Sequence, residues 1–424
     1  MDRFVIHGGN PLKGEIEVQG AKNAAFPVLA ATILTKEDCI IENLPLIEDV
    51  SRTVDILESM GAKIDWLEER TVRVNTKDLD PSQINRKLIS MLRGSVLFFG
   101  PLLARFGKIN LPQPGGCIIG ARPIDTHLDA FSQLGVQISP TRGGFEMQFS
   151  GELKNQEVIL NEFSVTATEN ILLFASLLDT PVTLKIADQD YQVQELIRFL
   201  EQMGVRIRIP ELHTIVIEGA KRLRGVRHYL IADPIEAGTF IAFGIGTKGT
   251  MAVKNVEIRF LELFLKKLRD FGANVEILPH ARRGEVRIFP AKRLKIDKIQ
   301  SLMYPGIHSD LQSVLGVLAT QSKGSTLLHD PLYEGRLKYL EELNKMGAEV
   351  YFTDPHRAII NGPTKLYGAD LGTFDLRGGA ALIMAALMAK GKSTITNIYQ
   401  VDRGYERIEE RLQKLGADIK RVKG

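Results

Sequence analysis

One phrase recurs six times along this 424-residue chain and constrains its fold more than any other feature. Each copy ends an amphipathic stretch and continues with glycine, alanine or valine, a polar residue, and isoleucine or valine. A left-handed glycine just past a helix, followed at once by a β-branched residue, predicts a helix-to-strand junction. The glycines are Gly61, Gly135, Gly204, Gly272, Gly347 and Gly416, so one repeat spans about 70 residues.

Each repeat also contains a helical stretch that is apolar on nearly every side. These stretches lie in residues 24–34, 95–104, 170–177, 240–246, 312–319 and 380–389. A helix without a polar face must be buried on all sides, so the amphipathic helix of the same repeat has to lie outside it. The pattern predicts an α/β fold with central helices, and strands such as 249–256 connect the inner and outer helices.

The length of the chain favours two domains, because a single core rarely grows this large. Three repeats fill residues 20–231 and three fill residues 232–424. The strand in residues 1–19 can pair with either half, and we assign it to the second domain. A long α/β solenoid is the alternative, but six repeats with fully apolar central helices suit two closed domains better.

Charged residues stand at matching positions of the repeats. Counting back fourteen residues from the ends of the buried helices reaches Lys22, Arg93, Asp310 and Arg377. On the outer helices, Arg122 and Arg403 lie thirteen residues before the repeat glycine, and Arg336 lies eleven before it. Helix N-termini and basic side chains together make an anion site. The pattern predicts a site for a ligand with several phosphates or carboxylates, although single arginines are often only surface charges.

Asp310 is an acid among these cations, and two interpretations of it remain open. Ser309 and Asp310 precede an apolar helix, and both residue types cap helix N-termini well. Alternatively, the carboxylate is placed to take a proton from an attacking hydroxyl group.

The segment 111–123, with the sequence LPQPGGCIIGARP, predicts a mobile loop that closes over a ligand. Cys117 lies within it, and nearby cations would favour its reactive thiolate form. Cys39 lies in an apolar strand, where we expect an inert core thiol. No Cys or His stands at metal-ligand spacing near Cys117, so we expect no metal site. We expect His127, in the helix that follows, to be a structural hydrogen-bonding residue.

Composition excludes several classes of protein. The net charge of +3 argues against a nucleic-acid partner, and no apolar run approaches the roughly 20 residues of a membrane span. The first residues lack the layout of a signal peptide, and two cysteines suit a reducing compartment. We therefore expect a cytoplasmic protein.

Several stretches resemble one known family over the whole chain. They are GAKNAAFPVLAA, LPQPGGCIIGARPIDTHL, EAGTF, SDLQ, DLRGGAAL and VDRGYERIEERLQKLGA. The chain resembles the UDP-N-acetylglucosamine 1-carboxyvinyltransferases, members of the superfamily that also contains EPSP synthase. The resemblance implies two inverse α/β barrel domains, each built from three of the repeats.

The resemblance also implies an activity. It is transfer of the enolpyruvyl group of phosphoenolpyruvate to the 3′-hydroxyl of UDP-N-acetylglucosamine, with release of phosphate. This reaction is the first committed step of peptidoglycan synthesis, and so serves cell-wall biogenesis, cell shape and cell division. It needs no cofactor and no metal, because one group donates a proton, another accepts one, and cations hold the departing phosphate.

The site residues follow from the same resemblance, position by position. Cys117 is similar to the general acid, or to a residue that governs product release, and the antibiotic fosfomycin is expected to alkylate it. Asp310 is similar to the base, and Asp375 to a carboxylate near the reacting carbons. Lys22 and Asn23 correspond to phosphoenolpyruvate-binding residues, Arg122 and Arg403 to those that hold its phosphate, with Arg93, Arg336 and Arg377 nearby. The UDP-sugar positions are Arg122, Pro123, Ile124, Asp125, Thr126, Ser164, Val165 and Leu332.

The chain departs from the family pattern at a few positions. Glu162 stands where some relatives have Lys. Thr166, Pro234, His308 and Gly335 stand where relatives usually have Gly, Arg, Pro and Asn. These differences leave altered substrate preference open. They also leave two alternatives: an inactive UDP-sugar-binding paralogue, and the sister enzyme 3-phosphoshikimate 1-carboxyvinyltransferase.

Overall fold

The computed structural model describes residues 2–116, 119–279 and 283–424, which form two compact units. The first unit comprises residues 20–116 and 122–231. The second unit comprises residues 232–424 together with the described residues of 1–19 and 117–121.

Helices begin and end close to the positions that the repeats predict, and most of the inner ones are apolar throughout. The α-helices are α1 (Lys22–Ala31), α2 (Glu48–Ser59), α3 (Arg86–Met91), α4 (Phe99–Phe106), α5 (Asp125–Gln133), α6 (Val165–Ala175), α7 (Tyr191–Met203), α8 (Pro234–Gly246), α9 (Glu262–Asp270), α10 (Ser309–Ala319), α11 (Tyr339–Lys345), α12 (Leu376–Met388), α13 (Tyr399–Asp402) and α14 (Ile408–Lys414). Short 3₁₀ helices cover Thr32–Leu34, Pro81–Gln83, Arg93–Phe98 and Ile258–Phe260.

Strands follow each inner helix and each repeat glycine. They are β1 (Arg3–His7), β2 (Lys13–Glu17), β3 (Cys39–Glu42), β4 (Lys63–Glu68), β5 (Thr71–Asn75), β6 (Lys108–Pro112), β7 (Gln137–Thr141), β8 (Gly144–Gln148), β9 (Glu157–Ile159), β10 (Val182–Lys185), β11 (Arg206–Glu211), β12 (Thr214–Glu218), β13 (Arg227–Tyr229), β14 (Thr250–Val256), β15 (Asn274–Leu278), β16 (Gly284–Phe289), β17 (Lys298–Gln300), β18 (Gly324–His329), β19 (Glu349–Asp354), β20 (Arg357–Gly362), β21 (Asp370–Gly372), β22 (Lys392–Thr396) and β23 (Asp418–Val422).

The repeat glycines are left-handed, as predicted. All six have φ between +90° and +112°, and each lies just past an outer helix and just before a strand. Residues with a side chain avoid this region of backbone space, so glycine ends the helix there at little cost. The sharp turn lets the strand fold straight back alongside its helix.

The predicted central helices are buried on every side. In α12, every residue from Leu376 to Leu387 is buried, and α8 is buried from Pro234 to Ile245. Helices α8, α10 and α12 pack against one another in the second unit. Burying one leucine or isoleucine side chain contributes about 1.5–3 kcal/mol, so these helices supply much of the core stability.

The inner helix of the second repeat departs from this regularity, because it begins as the 3₁₀ helix Arg93–Phe98 and becomes α4 only at Phe99. Two residues account for the change. Pro101 has no N–H to donate to the preceding turn. The N–H of Gly100 instead lies beside the side chain of Asn170, whose Oδ1 accepts it at 2.8 Å.

Each unit closes on itself through strands exchanged between its repeats. In a four-stranded sheet, two strands form the hairpin that follows an outer helix. The third strand follows an inner helix, and the fourth, which is parallel to the third, comes from the preceding repeat. In the second unit, β17 joins β18, β21 joins β22, and β2 joins β14. Strand β1 pairs with β22 and β23, and so completes the sheet of the sixth repeat.

The sheet around β6 has only three strands among the described residues, in the order β6-β8-β7. The segment that would supply a fourth strand forms Pro81–Gln83 and α3 instead. Arg86 of α3 donates from Nη1 to the backbone oxygen of Asn110 at 3.1 Å, and so covers the edge of β6. This strand leads directly into the loop that carries Cys117.

In each unit, buried helices lie at the centre and sheets and amphipathic helices surround them, which is the inverse α/β barrel that the resemblance implied. Within residues 2–116, 119–279 and 283–424, every helix is too short or too polar to cross a membrane.

Replacing Ile6 by alanine should test the pairing of the N-terminal strands. The side chain is fully buried in β1, so Ile6→Ala should lower the free energy of unfolding by about 2–5 kcal/mol. Hydrogen exchange should quicken in β22 and β23 and stay unchanged in β3. Ile159→Ala is the matched control, because that side chain is 50% exposed, and it should change stability by about 0.5 kcal/mol or less. Faster exchange in β3 with β22 unaffected would contradict the pairing.

Candidate active site

In the second unit, Asp310 lies between two arginines, Arg336 of its own repeat and Arg377 of the next repeat. Its Oδ1 accepts a hydrogen bond from Arg336 Nη2 at 2.7 Å, and its Oδ2 accepts one from Arg377 Nε at 3.1 Å. Both guanidinium groups are buried, whereas the Asp310 side chain keeps 15% of its surface exposed. The structure therefore brings together three residues that the repeat positions predicted, around one accessible carboxylate.

Arg336 also contacts the residues around this carboxylate. Its Nη1 donates to Asp375 Oδ1 at 3.4 Å and its Nε donates to Ser309 Oγ at 3.2 Å. Ser309 in turn donates to the fully buried Asp330. Burial works against the charge of Arg336, but Asp310 and Asp375 outweigh it, so its pKa is raised above the usual value. Arg336 thus stays a cation although it is only 4% exposed.

Arg377 is held by the helix that it begins and by an aromatic ring. Asp375 caps α12 by accepting from the backbone N–H groups of Arg377 and Gly378 at 3.0 and 3.1 Å. The Arg377 guanidinium lies 5.2 Å from the centre of the Tyr405 ring, within cation–π range. Burial opposes its charge, yet Tyr405 and Asp310 raise the pKa of Arg377 well above the usual value.

The interpretation of Asp310 as a helix cap is wrong, because His308 performs that function. The Nδ1 atom of His308 accepts the backbone N–H of Asp310 at 3.0 Å. Ser309, the other expected cap, is engaged with Asp330 and Arg336. His308 therefore leaves the Asp310 carboxylate available to the arginines and accounts for one departure from the family pattern.

Two further predicted residues belong to the second unit. Arg403 follows α13, is 6% exposed, and donates from Nη1 to Gln400 Oε1 at 3.1 Å. Leu332 is half-buried, and its N–H donates to Asp330 Oδ1 at 3.0 Å, which fixes the start of the segment that carries Arg336.

In the first unit, Lys22 begins the buried helix α1 and is 7% exposed. Its Nζ lies 2.9 Å from Oδ2 of Asp49, a buried residue in the first turn of α2, and above the Phe26 ring. The neighbouring Asn23 is half-buried. A buried lysine needs such a partner, and the pair gives the first unit a fixed cation at the start of α1.

Arg93 lies at the start of the second inner helix and reaches the segment before α5. Its Nη2 donates to the backbone oxygen of Pro123 at 3.1 Å. His127, in the first turn of α5, has its pKa lowered to about 3 by burial and by the charge of Arg93. Its Nε2 lies 2.8 Å from Thr166 Oγ1. His127 is therefore neutral at pH 7 and has a structural hydrogen bond, as the sequence predicted.

Apart from Leu332, which belongs to the second unit, the expected UDP-sugar positions fall on two adjacent segments of the first unit. Ser164 caps α6 by accepting the N–H of Ala167, and Thr126 Oγ1 donates to Glu162 Oε1 at 3.1 Å. Thus Glu162 and Thr166, two departures from the family pattern, each bond to a residue at the start of α5. The other positions in these segments are Arg122, Pro123, Ile124, Asp125 and Val165, of which Ile124 is buried and Pro123 and Asp125 are exposed.

The remaining departures have local explanations. Pro234 is the first residue of α8, where proline loses no helical hydrogen bond, and Asp233 caps the same helix. The N–H of Gly335 donates to the backbone oxygen of Ile119 at 2.8 Å, and a Cβ at Gly335 would lie 2.9 Å from the Ile119 carbonyl carbon. Both positions are therefore explained by backbone geometry in the second unit.

Cys117 lies outside the described residues, so its predicted role remains a prediction. In the described part of the chain, no group of three or more His, Cys, Asp or Glu side chains is arranged to hold a metal ion.

Four residues that hold the site residues in place were not predicted from the sequence, namely Asp49, His308, Asp330 and Tyr405. Only Asp330 had a local signal, a carboxylate directly after strand β18.

This arrangement suits proton transfer beside an anion. A partly exposed carboxylate is surrounded by fixed, buried guanidinium groups, which can bind phosphate or carboxylate in fork geometry. Cations that are already in place stabilise charge as it develops on a departing group, at little cost of rearrangement.

Comparison with known proteins identifies the family of the chain. The sequence model of the family described as EPSP synthase (3-phosphoshikimate 1-carboxyvinyltransferase) matches residues 6–412. The UDP-N-acetylglucosamine 1-carboxyvinyltransferase of Coxiella burnetii is 37% identical, over 100% of this chain and 96% of the relative.

Solved structures of enolpyruvyl transferases have the same fold as this chain. The enolpyruvyl transferase NikO of Streptomyces tendae has a TM-score of 0.89 at 25% identity, and the match covers 100% of this chain and 99% of that one. EPSP synthase of Acinetobacter baumannii has a TM-score of 0.76 at 17% identity and full coverage of both chains, which supports the fold alone. The chain therefore belongs to the enolpyruvyl transferase family that includes EPSP synthase, and within it to the UDP-N-acetylglucosamine 1-carboxyvinyltransferases.

Proposed function

We propose that this chain transfers the enolpyruvyl group of phosphoenolpyruvate to the 3′-hydroxyl of UDP-N-acetylglucosamine. The hydroxyl oxygen bonds to the central carbon of phosphoenolpyruvate while the methylene carbon gains a proton, which gives a tetrahedral intermediate. The new methyl group then loses a proton, the C–O bond to phosphate breaks, and inorganic phosphate leaves. The relatives at 37% identity carry this activity in their names and match the chain over its full length.

The observation that carries the mechanism is the position of Asp310. Its carboxylate is the most exposed member of a buried charge cluster, and each of its oxygens already accepts one arginine hydrogen bond. A carboxylate oxygen has two lone pairs and can accept more than one hydrogen bond. In this proposal, Asp310 accepts the proton of the 3′-hydroxyl as the carbon–oxygen bond forms.

The two arginines would also control the strength of this base. Cations favour the ionised form of an adjacent carboxylate, and Arg336 and Arg377 both bond to Asp310. Binding of an anionic donor near these arginines would offset their charge and raise the proton affinity of Asp310. The base would then become effective only once phosphoenolpyruvate is bound, which limits unproductive chemistry.

The other cations would hold the donor. We assign Lys22, Asn23, Arg122 and Arg403 to phosphoenolpyruvate and its phosphate, with Arg93, Arg336 and Arg377 in support. Lys22 and Arg403 are nearly buried, at 7% and 6% exposure, and low local polarity strengthens their attraction for a phosphate group. We assign Asp375 to the surroundings of the reacting carbons, and Pro123–Thr126, Ser164, Val165 and Leu332 to the UDP-sugar.

Cys117 would protonate the methylene carbon or govern product release. Either role requires an accessible thiol of ordinary or lowered pKa. Cys39 offers a contrast within the same chain, because burial raises the pKa of that thiol to about 11 and keeps it protonated.

We place the reaction in the cytoplasm, which fits a chain with two cysteines, one of them a buried free thiol. The product would feed peptidoglycan synthesis, so loss of the activity should affect cell shape and division.

Phosphate release from phosphoenolpyruvate should depend on UDP-N-acetylglucosamine. The assay uses purified protein with each of two acceptors, UDP-N-acetylglucosamine and shikimate 3-phosphate, and detects inorganic phosphate. Release with the UDP-sugar alone is expected. Release with shikimate 3-phosphate would favour the sister enzyme, and a folded protein inactive with both acceptors would favour a binding paralogue.

Asp310→Asn should lower kcat by about 100-fold or more, because an amide cannot accept the hydroxyl proton. Circular dichroism should show an intact fold. The control is Asp354→Asn, which breaks an ion pair with Arg357 in the outer hairpin β19–β20 and should leave kcat within about twofold. An Asp310→Asn variant with wild-type kcat would exclude Asp310 as the base.

Fosfomycin should add covalently to Cys117 and to no other residue. Intact mass should increase by one adduct, and peptide mapping should place the adduct on Cys117. Cys39 serves as an internal control, because its buried, protonated thiol should not react. Treated Cys117→Ser should show no adduct and should retain little activity. An unmodified wild-type protein would contradict the assignment of a reactive thiol.

A further inference from the structure

Arg421, in the last strand β23, makes a clamp across two helices of the second unit. Its Nη1 and Nη2 donate to the two oxygens of Asp402 at 2.9 and 2.6 Å. Its Nε and Nη2 donate to the two oxygens of Glu409 at 2.5 and 3.2 Å. The Phe4 ring lies 5.0 Å from the same guanidinium. One side chain therefore joins the end of α13 to the start of α14.

The clamp encloses a turn that carries residues of the candidate active site. Asp402 is the last residue of α13 and Glu409 the second residue of α14. Between them lie Arg403, assigned above to phosphoenolpyruvate, and Tyr405, whose ring contacts Arg377 at 5.2 Å. We call residues 402–409 the clamped turn.

The clamped turn needs support, because its backbone is strained. Arg407 has φ +39° and ψ +49°, a left-handed conformation that residues with a side chain rarely adopt. Such a conformation persists only where surrounding contacts determine it. Tyr405 provides one contact, since its hydroxyl lies 2.9 Å from Thr239 Oγ1, and Arg421 provides the contacts at both ends.

The geometry differs from that of an ordinary surface ion pair, which contributes little. Glu409 is only 7% exposed, and the Arg421 side chain is 25% exposed. The planar guanidinium satisfies both oxygens of Asp402 and both of Glu409 in one orientation. A lysine would keep the charge but could not reproduce this fork.

We propose that Arg421 is a positioning residue. Through Asp402 and Glu409 it fixes the clamped turn, which places Arg403 to bind the phosphate of phosphoenolpyruvate and Tyr405 to contact Arg377. The proposal rests on the function proposed above, in which Arg403 binds the donor. It assigns to Arg421 an effect on the donor and none on the UDP-sugar.

Arg421→Lys should raise KM for phosphoenolpyruvate about tenfold or more, because small displacements of a positioned group cost this much. KM for UDP-N-acetylglucosamine should stay within about twofold, since no UDP-sugar position lies in the clamped turn. The matched control is Arg357→Lys, which weakens an arginine–carboxylate pair in the exposed hairpin β19–β20 and should alter neither constant.

A double-mutant cycle separates positioning from general stabilisation. If Arg421 acts through Arg403, then Arg403→Lys and Arg421→Lys together should reduce kcat/KM by less than the product of the single reductions. A fully multiplicative effect would overturn the proposal. So would an Arg421→Lys variant that melts at a lower temperature but keeps both KM values at 25 °C.

The cycle also separates this proposal from the proposed function. Arg403→Lys with wild-type kinetics would remove Arg403 from the donor site, whatever Arg421 does. Impaired Arg403→Lys beside unaffected Arg421→Lys would leave the function in place and refute the clamp. If Arg421→Lys does not fold, Glu409→Gln weakens the same clamp from the other side. It should give the same selective rise in KM for phosphoenolpyruvate. An unchanged KM for phosphoenolpyruvate would refute the clamp.

Discussion

Burial of the inner helix of each repeat is the constraint on which the rest of the structure depends. Helices such as α8 and α12 have no polar face, so sheets and amphipathic helices must surround them. Within each helix the backbone N–H groups bond to backbone oxygens. Only the N–H groups of the first turn are left for other polar groups. Lys22 and Arg377, in the first turns of two of these helices, are almost buried. The packing of the core thus determines where chemistry can occur.

A buried charge is tolerable only if it is paired, and the pairing in this protein follows the repeats. Lys22 meets Asp49 within the first unit, and Asp310 meets Arg336 and Arg377 within the second. Each partner comes from a different segment of the chain, so the ion pairs also tie these segments together. Removing one member would leave a buried charge uncompensated, which costs more than the loss of a surface pair. For this reason, a candidate active site of this kind is also part of the folded core.

The sequence predicted those features that depend on local chemistry. The repeat glycines needed left-handed backbone, and the apolar helices needed burial, so both were visible without a structure. The pairing of β1 was not visible, because an alternating strand suits an open sheet edge in either half. His308 was missed as a cap because Ser309 is the better capping residue by type, and its engagement with Asp330 spans 21 positions of sequence. The 3₁₀ start of the second inner helix likewise depends on the distant Asn170. Where the outcome depended on a partner far along the chain, residue type alone was insufficient.

The exchange of strands at the chain ends has a consequence for synthesis on the ribosome. The first unit is nearly continuous in sequence, so its three repeats can fold as soon as about residue 231 has emerged. Strand β1 emerges earlier than any of these, but its partners β22 and β23 are made last. Strand β1 therefore stays without these partners until residues 392–422 have been made. We expect this short strand to need protection in the nascent chain, and its polar, exposed ends, Arg3 and His7, to limit its association with other chains.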